Sequence, residues 1–162
     1  MAFDAFLKID GLDGESTRKG FEKQMEIKSF SWGATNPATI GAGGGGGGAG
    51  KVSITSFSIS KLSDVASPLL FQSCCKGIHY PKAVVTLIKS GGTSAFDFIK
   101  YEFENVYVES VQWSGATGGD DTPLESVSLA FSKVSFTYTP QNPDGSKGSP
   151  AVGAWDLTTG SA

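Results

Sequence analysis

The feature that most constrains how this chain folds is an alternation of apolar and polar residues that repeatedly changes phase. Near residue 55 the apolar positions change from even numbers, Val52 and Ile54, to odd numbers, Phe57 and Ile59. Because side chains in a strand alternate between two faces, each change of phase requires an extra residue, a β-bulge. Bulges bend and twist strands, so a sheet that carries several of them can curl and close.

The same change of phase recurs in residues 96–103, 106–113 and 127–138. Several phase changes in one small chain favour a closed barrel over a flat sheet. The apolar residues Val84, Val85, Leu87 and Ile88 occupy both parities, as expected for a strand buried on both faces. The sequence therefore predicts a mostly β fold, a small closed β-barrel in a single domain of residues 1–162.

Further stretches alternate and complete the predicted strands. Residues 3–9 predict a first strand, residues 25–32 a second and residues 51–61 a third, whereas residues 152–157 can return as a short edge strand. Phe131 lies in the middle of the clearest alternating run, so we expect its side chain to be buried.

Residues 67–77 predict one short α-helix. Ser67 is expected to cap it, Pro68 suits its first position, and Gly77 suits its C-terminal stop. The four-residue spacing predicts a stripe that lies on the barrel, formed by two pairs: Leu70 with Cys74, and Phe71 with Cys75. This helix is too short to span a membrane.

Residues 35–50 form a long glycine-rich extended loop that contains the six consecutive glycines 43–48. Glycine has no side chain to pack, and it loses more conformational entropy on ordering than any other residue. A loop of this length is usually either a functional surface or a disordered segment. We therefore expect the loop to contact another molecule.

The glycines also match the first seven positions of a phosphate-binding P-loop. Gly45 to Lys51 reads G-x-x-x-x-G-K, but Val52 stands where the motif needs a hydroxyl ligand for Mg²⁺. A P-loop also opens a helix, whereas here the lysine opens an alternating strand pattern. In a run of glycines the match arises by chance, and no nucleotide site is predicted.

Composition and charge exclude several classes of function. Only 18% of the residues are charged, the net charge is −3 and the lysines are scattered, so the basic face of a nucleic-acid-binding protein is not expected. No apolar run reaches the length of a membrane span. The first residues lack a basic region and a cleavage site, so no signal peptide is predicted.

The chemically reactive residues form no catalytic, metal or cofactor motif. Cys74 and Cys75 are interpreted as small core residues in a reducing compartment, since a bridge between neighbours would be strained. The single histidine, His79, lacks partners at metal-binding spacing. Glu102 and Glu104 share a strand face that is typical of a solvated surface, and no serine lies in a G-x-S-x-G motif. The sequence therefore predicts no enzyme activity and no cofactor.

Segments distributed in order along essentially the whole chain match those of one known family. They are Phe6-Leu7-Lys8-Ile9, Gly14-Glu15-Ser16-Thr17, Ser31-Trp32-Gly33, Gly48-Ala49-Gly50-Lys51, Ser67-Pro68 with Leu70, His79-Tyr80-Pro81, Glu125 with Val127, Leu129 and Phe131, and finally Tyr138, Pro140-Gln141, Asp144-Gly145 and Trp155. Together they resemble the hemolysin-coregulated protein family, Hcp, the tube protein of bacterial type VI secretion.

The resemblance implies a β-barrel with one helix that assembles into homohexameric rings, which stack head-to-tail into a tube. In such systems the tube lies inside a contractile sheath, carries a VgrG-type spike and is expelled into a target cell. Small effectors can travel inside the ring, which then acts as their chaperone. The resemblance implies export from the cytoplasm by the type VI route without a signal peptide.

Two sets of site residues follow from the resemblance together with the alternation. The residues expected to face the lumen of the ring are Ser29, Ser31 and Gly33, because Phe30 and Trp32 alternate with them toward the core. The residues expected to form a ring-stacking loop are Gly43, Gly44, Gly45, Gly46, Gly47 and Gly48.

The chain also departs from the family pattern, and one rival interpretation stays open. Phe30 stands where many members have Trp, Phe21 stands where a histidine is common, and the loop at residues 118–123 is individual. The rival is a monomeric ligand-binding barrel for a carbohydrate or a lipid, since small barrels can hold ligands. Its pocket would be lined by Trp32, Trp113 and Trp155.

Overall fold

The computed structural model describes residues 3–37, 50–91, 94–119 and 121–162. Within these ranges the elements are, in chain order, β1 (Phe3–Ile9), β2 (Met25–Ile27), β3 (Ser29–Ser31), β4 (Ala34–Thr35), β5 (Ser53–Ile54), β6 (Phe57–Leu62), α1 (Ser67–Lys76), β7 (His79–Gly91), β8 (Ser94–Ser114), β9 (Leu124–Ala130), β10 (Lys133–Tyr138) and β11 (Ala151–Asp156). The fold is mostly β and is interrupted by a short helix, as the sequence predicts.

The strands form an antiparallel sheet in the order β2-β1-β7-β8-β9-β6-β3, and β10 with β11 branches from β8. The two end strands of this order, β2 and β3, are joined along the chain by Lys28 alone. The Lys28 backbone N–H donates to the Ser60 carbonyl oxygen at 2.8 Å, which ties this junction to β6. The sheet therefore curls back on itself, in agreement with the predicted β-barrel fold.

Two of the predicted bulges lie in β8. The β7–β8 register shifts between Leu87 and Ile88, which leaves Phe98 without a partner residue. The β8–β9 register shifts again between Val108 and Ser110. These shifts coincide with the phase changes in residues 96–103 and 106–113. They confirm the two bulges that the alternation predicts there, and both lie in one long strand.

The other two phase changes are breaks between strands rather than bulges. Residues 55–56 separate β5 from β6, and residues 131–132 separate β9 from β10. The predicted strand of residues 25–32 is likewise two strands, β2 and β3, which pair with β1 and β6 respectively. Alternation along the chain cannot distinguish a bulge from a change of partner, because both shift the phase by one residue.

Aromatic side chains fill the centre of the core. Phe57 is completely buried, and its ring centroid lies 4.9 Å from that of Phe103, 5.7 Å from Phe30 and 5.8 Å from Tyr101. Phe131 packs on Phe103 with a centroid distance of 4.6 Å, but it is only half-buried. The prediction of a buried, mid-strand Phe131 is wrong, because β9 ends at Ala130.

The helix α1 begins at Ser67, and its N-cap residue is Ala66. Ser67 is thus the first helical residue rather than the cap, and its Oγ accepts the backbone N–H of Asp64 at 2.9 Å. Pro68 lies in the first turn, and the left-handed Gly77 (φ 63°) ends the helix after Lys76, as predicted.

The buried stripe of α1 differs from the predicted one. Leu70 and Ser73 are buried and Cys74 is half-buried, whereas Phe71 is 54% exposed and Cys75 is also exposed. The prediction that Phe71 and Cys75 lie on the barrel is therefore wrong. An apolar helix of this kind does not reveal from sequence which of its two apolar sides meets the sheet.

The glycine-rich loop begins and ends on a short two-stranded ribbon, in which β4 pairs with β5. At its base the Gly50 N–H donates to the Pro37 carbonyl oxygen at 3.0 Å. A Cβ at Gly50 would lie 2.5 Å from that oxygen, so only glycine fits there. The predicted ring-stacking glycines, residues 43–48, lie outside the described residues.

The C-terminal part returns to the sheet, as predicted. The edge strand β11 pairs with β10 in a regular antiparallel ladder. Among the helices of the described residues, none combines the length and apolarity needed to cross a membrane.

Candidate functional site

The most distinctive surface of the molecule is one face of a four-stranded part of the sheet, β3-β6-β9-β8, that is lined by hydroxyl groups. We call it the serine face, and its members are Ser29, Ser31, Ser58, Ser60, Ser110, Gln112, Ser126 and Ser128. None of these side chains is charged, and all of them are serines except the larger Gln112. They surround a shallow depression of about 330 Å³.

The strand register places these side chains in two rows across the sheet. The first row runs Ser31, Ser58, Ser128, Ser110, and the second runs Ser29, Ser60, Ser126, Gln112. Residues directly opposite one another in an antiparallel pair share a face and lie close together. The hydroxyl groups accordingly bond to each other, with Oγ–Oγ distances of 2.5 Å between Ser29 and Ser60 and 3.1 Å between Ser58 and Ser128.

The core determines which way this face points. The residues that alternate with the serines, Phe57 and Ile59 on β6 and Val127 and Leu129 on β9, are buried. A shift of the strand register by one residue would move all of these apolar side chains into solvent. Their burial therefore determines the register and keeps the serine side chains on the outward face. The serine face is therefore a consequence of the core packing of the same strands.

Chemically, this surface can donate and accept hydrogen bonds but cannot form ion pairs or hold a metal. Its hydroxyl groups bond to each other or to water. Three apolar residues also line the depression, but Ile59 and Val127 are buried and Phe30 is half-buried in the core. Glu109 lies beside the face, where its carboxylate accepts a hydrogen bond from the Ser56 hydroxyl. The arrangement suits a smooth polar wall better than a binding pocket.

The predicted lumen residues lie partly on this face. Ser29 and Ser31 are exposed members of it, whereas Phe30 and Trp32 are half-buried against the core, as the alternation predicts. Gly33 is exposed but lies beyond the end of β3, and its N–H donates to Thr55 Oγ1 at 2.9 Å. Two of the three predicted residues are thus brought together with six residues that the sequence reasoning missed.

The missed residues carry a signal in the sequence. Serines alternate at positions 56, 58 and 60 and again at 126 and 128. Each run alone is consistent with ordinary solvent exposure, so only the pairing of β6 with β9 shows that they form one continuous surface.

The three tryptophans of the rival interpretation lie in different surroundings. The Trp32 ring packs edge-on against Tyr101 at 5.3 Å, Trp113 packs against Phe71 at 5.9 Å, and Trp155 pairs with Val134 across β10–β11. No two of the three tryptophans contact each other through their rings in the described part of the chain. They do not form the common pocket that a ligand-binding barrel would need.

The remaining candidate residues lie apart from the serine face. The His79 ring lies 5.2 Å from that of Tyr107, and Glu102 pairs with Lys82 at 3.5 Å on the solvated face of β8. Cys74 and Cys75 are free thiols. Within residues 3–37, 50–91, 94–119 and 121–162, no three His, Cys, Asp or Glu side chains are grouped to hold a metal ion.

The fold and the serine face define a β-barrel protein with a broad, uncharged polar wall. A family model described as "Type VI secretion system effector, Hcp" matches residues 6–138. "Protein hcp1" of Pseudomonas aeruginosa is 37% identical over 158 residues, which cover 97% of this chain and 96% of that protein. The chain belongs to the Hcp family.

Solved structures agree with this assignment. "Structure of a type six secretion system protein" superposes with a TM-score of 0.92 at 36% identity and covers 98% of both chains. Hcp1 from Salmonella typhimurium superposes with a TM-score of 0.78 at 32% identity and covers 99% of this chain and 98% of that one. The chain is thus a secreted structural protein of the type VI system and not an enzyme, as predicted.

Proposed function

We propose that this protein forms homohexameric rings that stack into the tube of a type VI secretion system, and that the serine face lines the channel of the ring. The observation that carries this proposal is the continuity of the serine face across four strands. An inner wall past which cargo slides must offer no strong attachment point. Eight uncharged polar side chains in register meet that requirement.

Other surfaces of the barrel are less suitable as a channel wall. The outer face of β8 carries Lys100, Glu102 and Glu104, and Lys82 adds a further charge from β7. Charged side chains would attract or repel a cargo according to its own charge. A hydroxyl-lined wall accepts small effectors of either charge, which suits a ring that carries and chaperones them.

The partners proposed for the assembled tube are its own copies, small effectors, a VgrG-type spike and a contractile sheath. Support comes from family membership, since the relatives are type VI secretion proteins. The tube would be built in the cytoplasm and expelled by the type VI route. The glycine run of residues 43–48 is proposed to contact the next ring.

The decisive experiment is native mass spectrometry of the purified chain at micromolar concentration, followed by electron microscopy of the same sample. We expect a species of six subunits and ring-shaped particles. A chain that stays monomeric in both measurements would contradict the proposal and favour the rival, a monomeric ligand-binding barrel.

A further inference from the structure

The outward side of α1 carries exposed apolar residues beside the polar Gln72. Leu70 and Ser73 are buried on the barrel, but Leu69 is 44% exposed and Phe71 is 54% exposed. Lys76, at the end of the helix, is its one charged residue. A helix that is apolar on both sides is normally covered on both sides, so this outward side lacks a partner.

A tryptophan extends this apolar surface onto the sheet. Trp113 is 43% exposed, and its ring meets that of Phe71 edge-on at 5.9 Å. Its indole N–H donates to Glu125 Oε2 at 2.6 Å, which holds the ring in place. With Pro68 these side chains line an open apolar recess of about 370 Å³. We call Pro68, Leu69, Phe71 and Trp113 the helix patch.

A second exposed apolar surface lies on β10 and β11. Phe136 is opposite Gly153 and Tyr138 is opposite Ala151, so all four lie on the same face. The two aromatic residues are 38% and 42% exposed, and a Cβ at Gly153 would meet no atom within 4 Å. Two large rings beside two small residues leave a hollow. We call these four residues the strand shelf.

The helix patch and the strand shelf are separate surfaces. The Phe136 ring packs against those of Tyr101 and Trp32, whereas the Trp113 ring packs against Phe71, and no ring contact joins the two surfaces in the described part of the chain. A chain therefore does not place its own helix patch on its own strand shelf. Two unlike surfaces on one subunit can instead pack together between copies, in a heterologous contact that forms a ring when its rotation closes.

The chemistry of the two surfaces is complementary. Neither surface contains a charged residue. The helix patch projects the exposed side chains of Leu69 and Phe71, whereas the strand shelf has open space at Gly153. We propose that the helix patch of one copy packs on the strand shelf of the next copy. This inference rests on the proposed ring and names its lateral contact.

The test uses one acidic substitution on each surface of the full chain. Phe71→Glu and Gly153→Glu change exposed positions, and Gly153 has an ordinary strand backbone with open space around it, so both variants should keep the circular dichroism spectrum of the wild type. Each variant should lose the ring and appear as a single chain in native mass spectrometry.

A matched control lies next to Gly153. Val152 is 64% exposed but pairs with Thr137 and so points to the opposite face of β11. The variant Val152→Glu should assemble like the wild type. Loss of the ring in this control as well would overturn the assignment of the contact to the strand shelf.

Mixing the two monomeric variants tests whether the two surfaces meet each other. The Phe71→Glu chain retains an intact strand shelf, and the Gly153→Glu chain retains an intact helix patch. An equimolar mixture should therefore form a one-to-one heterodimer that cannot close into a ring, and a mixture that stays monomeric would overturn the inference. If the wild type forms no ring, the proposed function is wrong. If rings persist in both variants, the ring itself stands and only the proposed contact between the helix patch and the strand shelf is wrong.

Discussion

Lys61 and Glu125 lie directly opposite each other on β6 and β9, and both side chains are completely buried in an ion pair. The Lys61 Nζ also donates to Asp64 Oδ1 at 2.8 Å and to the Leu62 carbonyl oxygen at 3.0 Å. Glu125 in turn accepts the indole N–H of Trp113 at 2.6 Å. Each buried charge therefore has several partners, and the network joins three strands to the residues that precede α1.

Removing one charge from this network should be strongly destabilising. Lys61→Met leaves the Glu125 carboxylate buried without its counter-charge, which typically costs about 3–5 kcal/mol. The free energy of unfolding, measured by denaturant titration, should fall by this amount. A loss below about 1 kcal/mol, as found for exposed pairs, would mean that water reaches the site.

The double variant Lys61→Met with Glu125→Leu is the matched control. It removes both charges at once, so it should be more stable than Lys61→Met alone even though Trp113 loses its acceptor. A double variant as unstable as the sum of both single changes would show that the two residues do not interact.

A second prediction compares two aromatic residues of the core. Phe57→Ala removes a completely buried ring and should cost about 3–5 kcal/mol of unfolding free energy. Phe131→Ala removes a half-buried ring at the end of β9 and should cost clearly less. Equal losses in denaturant unfolding would mean that Phe131 is as deeply packed as Phe57.

Much of the fold could be predicted from local pattern. The bulges in β8, the helix and the returning strand β11 all follow from phase, capping residues and spacing within the chain. The split of residues 25–32 into β2 and β3 could not be predicted, because it arises where the sheet changes its pairing partner at Lys28. Such a change depends on residues far away in the sequence.

The same limit applies to the serine face. Ser29 and Ser31 could be identified because Phe30 and Trp32 alternate with them, but their neighbours Ser60 and Ser58 come from another part of the chain. Register between distant strands is set by the burial of the whole core and not by any local signal.

A third prediction concerns acid stability at the C-terminal turn. The Lys147 Nζ lies 2.5 Å from Asp97 Oδ1. Partial burial raises the pKa of Asp97, but the hydrogen bond and the charge of Lys147 outweigh it and leave the pKa below its ordinary value. A lowered pKa means that the pair stabilises the fold above about pH 4, the pKa in the unfolded chain, and stops doing so as the pH falls through the folded pKa.

The measurement compares the wild type with Asp97→Asn. At neutral pH the variant should be less stable, by no more than about 1 kcal/mol because both side chains are over one-third exposed. In acid, below the folded pKa of Asp97, the two proteins should unfold alike. A difference in unfolding free energy between the two proteins that grows toward low pH would contradict the lowered pKa of Asp97, because that difference should shrink in acid.

A fourth prediction concerns the glycine run. Deleting residues 43–48 should leave the unfolding midpoint close to that of the wild type, because Pro37 and Gly50 are already joined by a hydrogen bond at the base of the loop. If the run contacts the next ring, tubes seen by electron microscopy should become shorter or disappear while single rings persist. Tubes of unchanged length would exclude the run from ring stacking.

The last prediction places cargo against the serine face. Ser31→Gln adds bulk but no charge at an exposed position, and a single enlarged side chain there leaves the half-buried Phe30 of the same strand untouched. Folding and ring formation should therefore survive. Retention of a small effector in a pull-down should fall, because the row that contains Ser31 otherwise holds only serines and is no longer smooth. Lys100→Gln, on the charged outer face of β8, is the matched control and should retain cargo like the wild type. Equal retention by both variants would place Ser31 on the ordinary outer surface of the ring instead of in its channel.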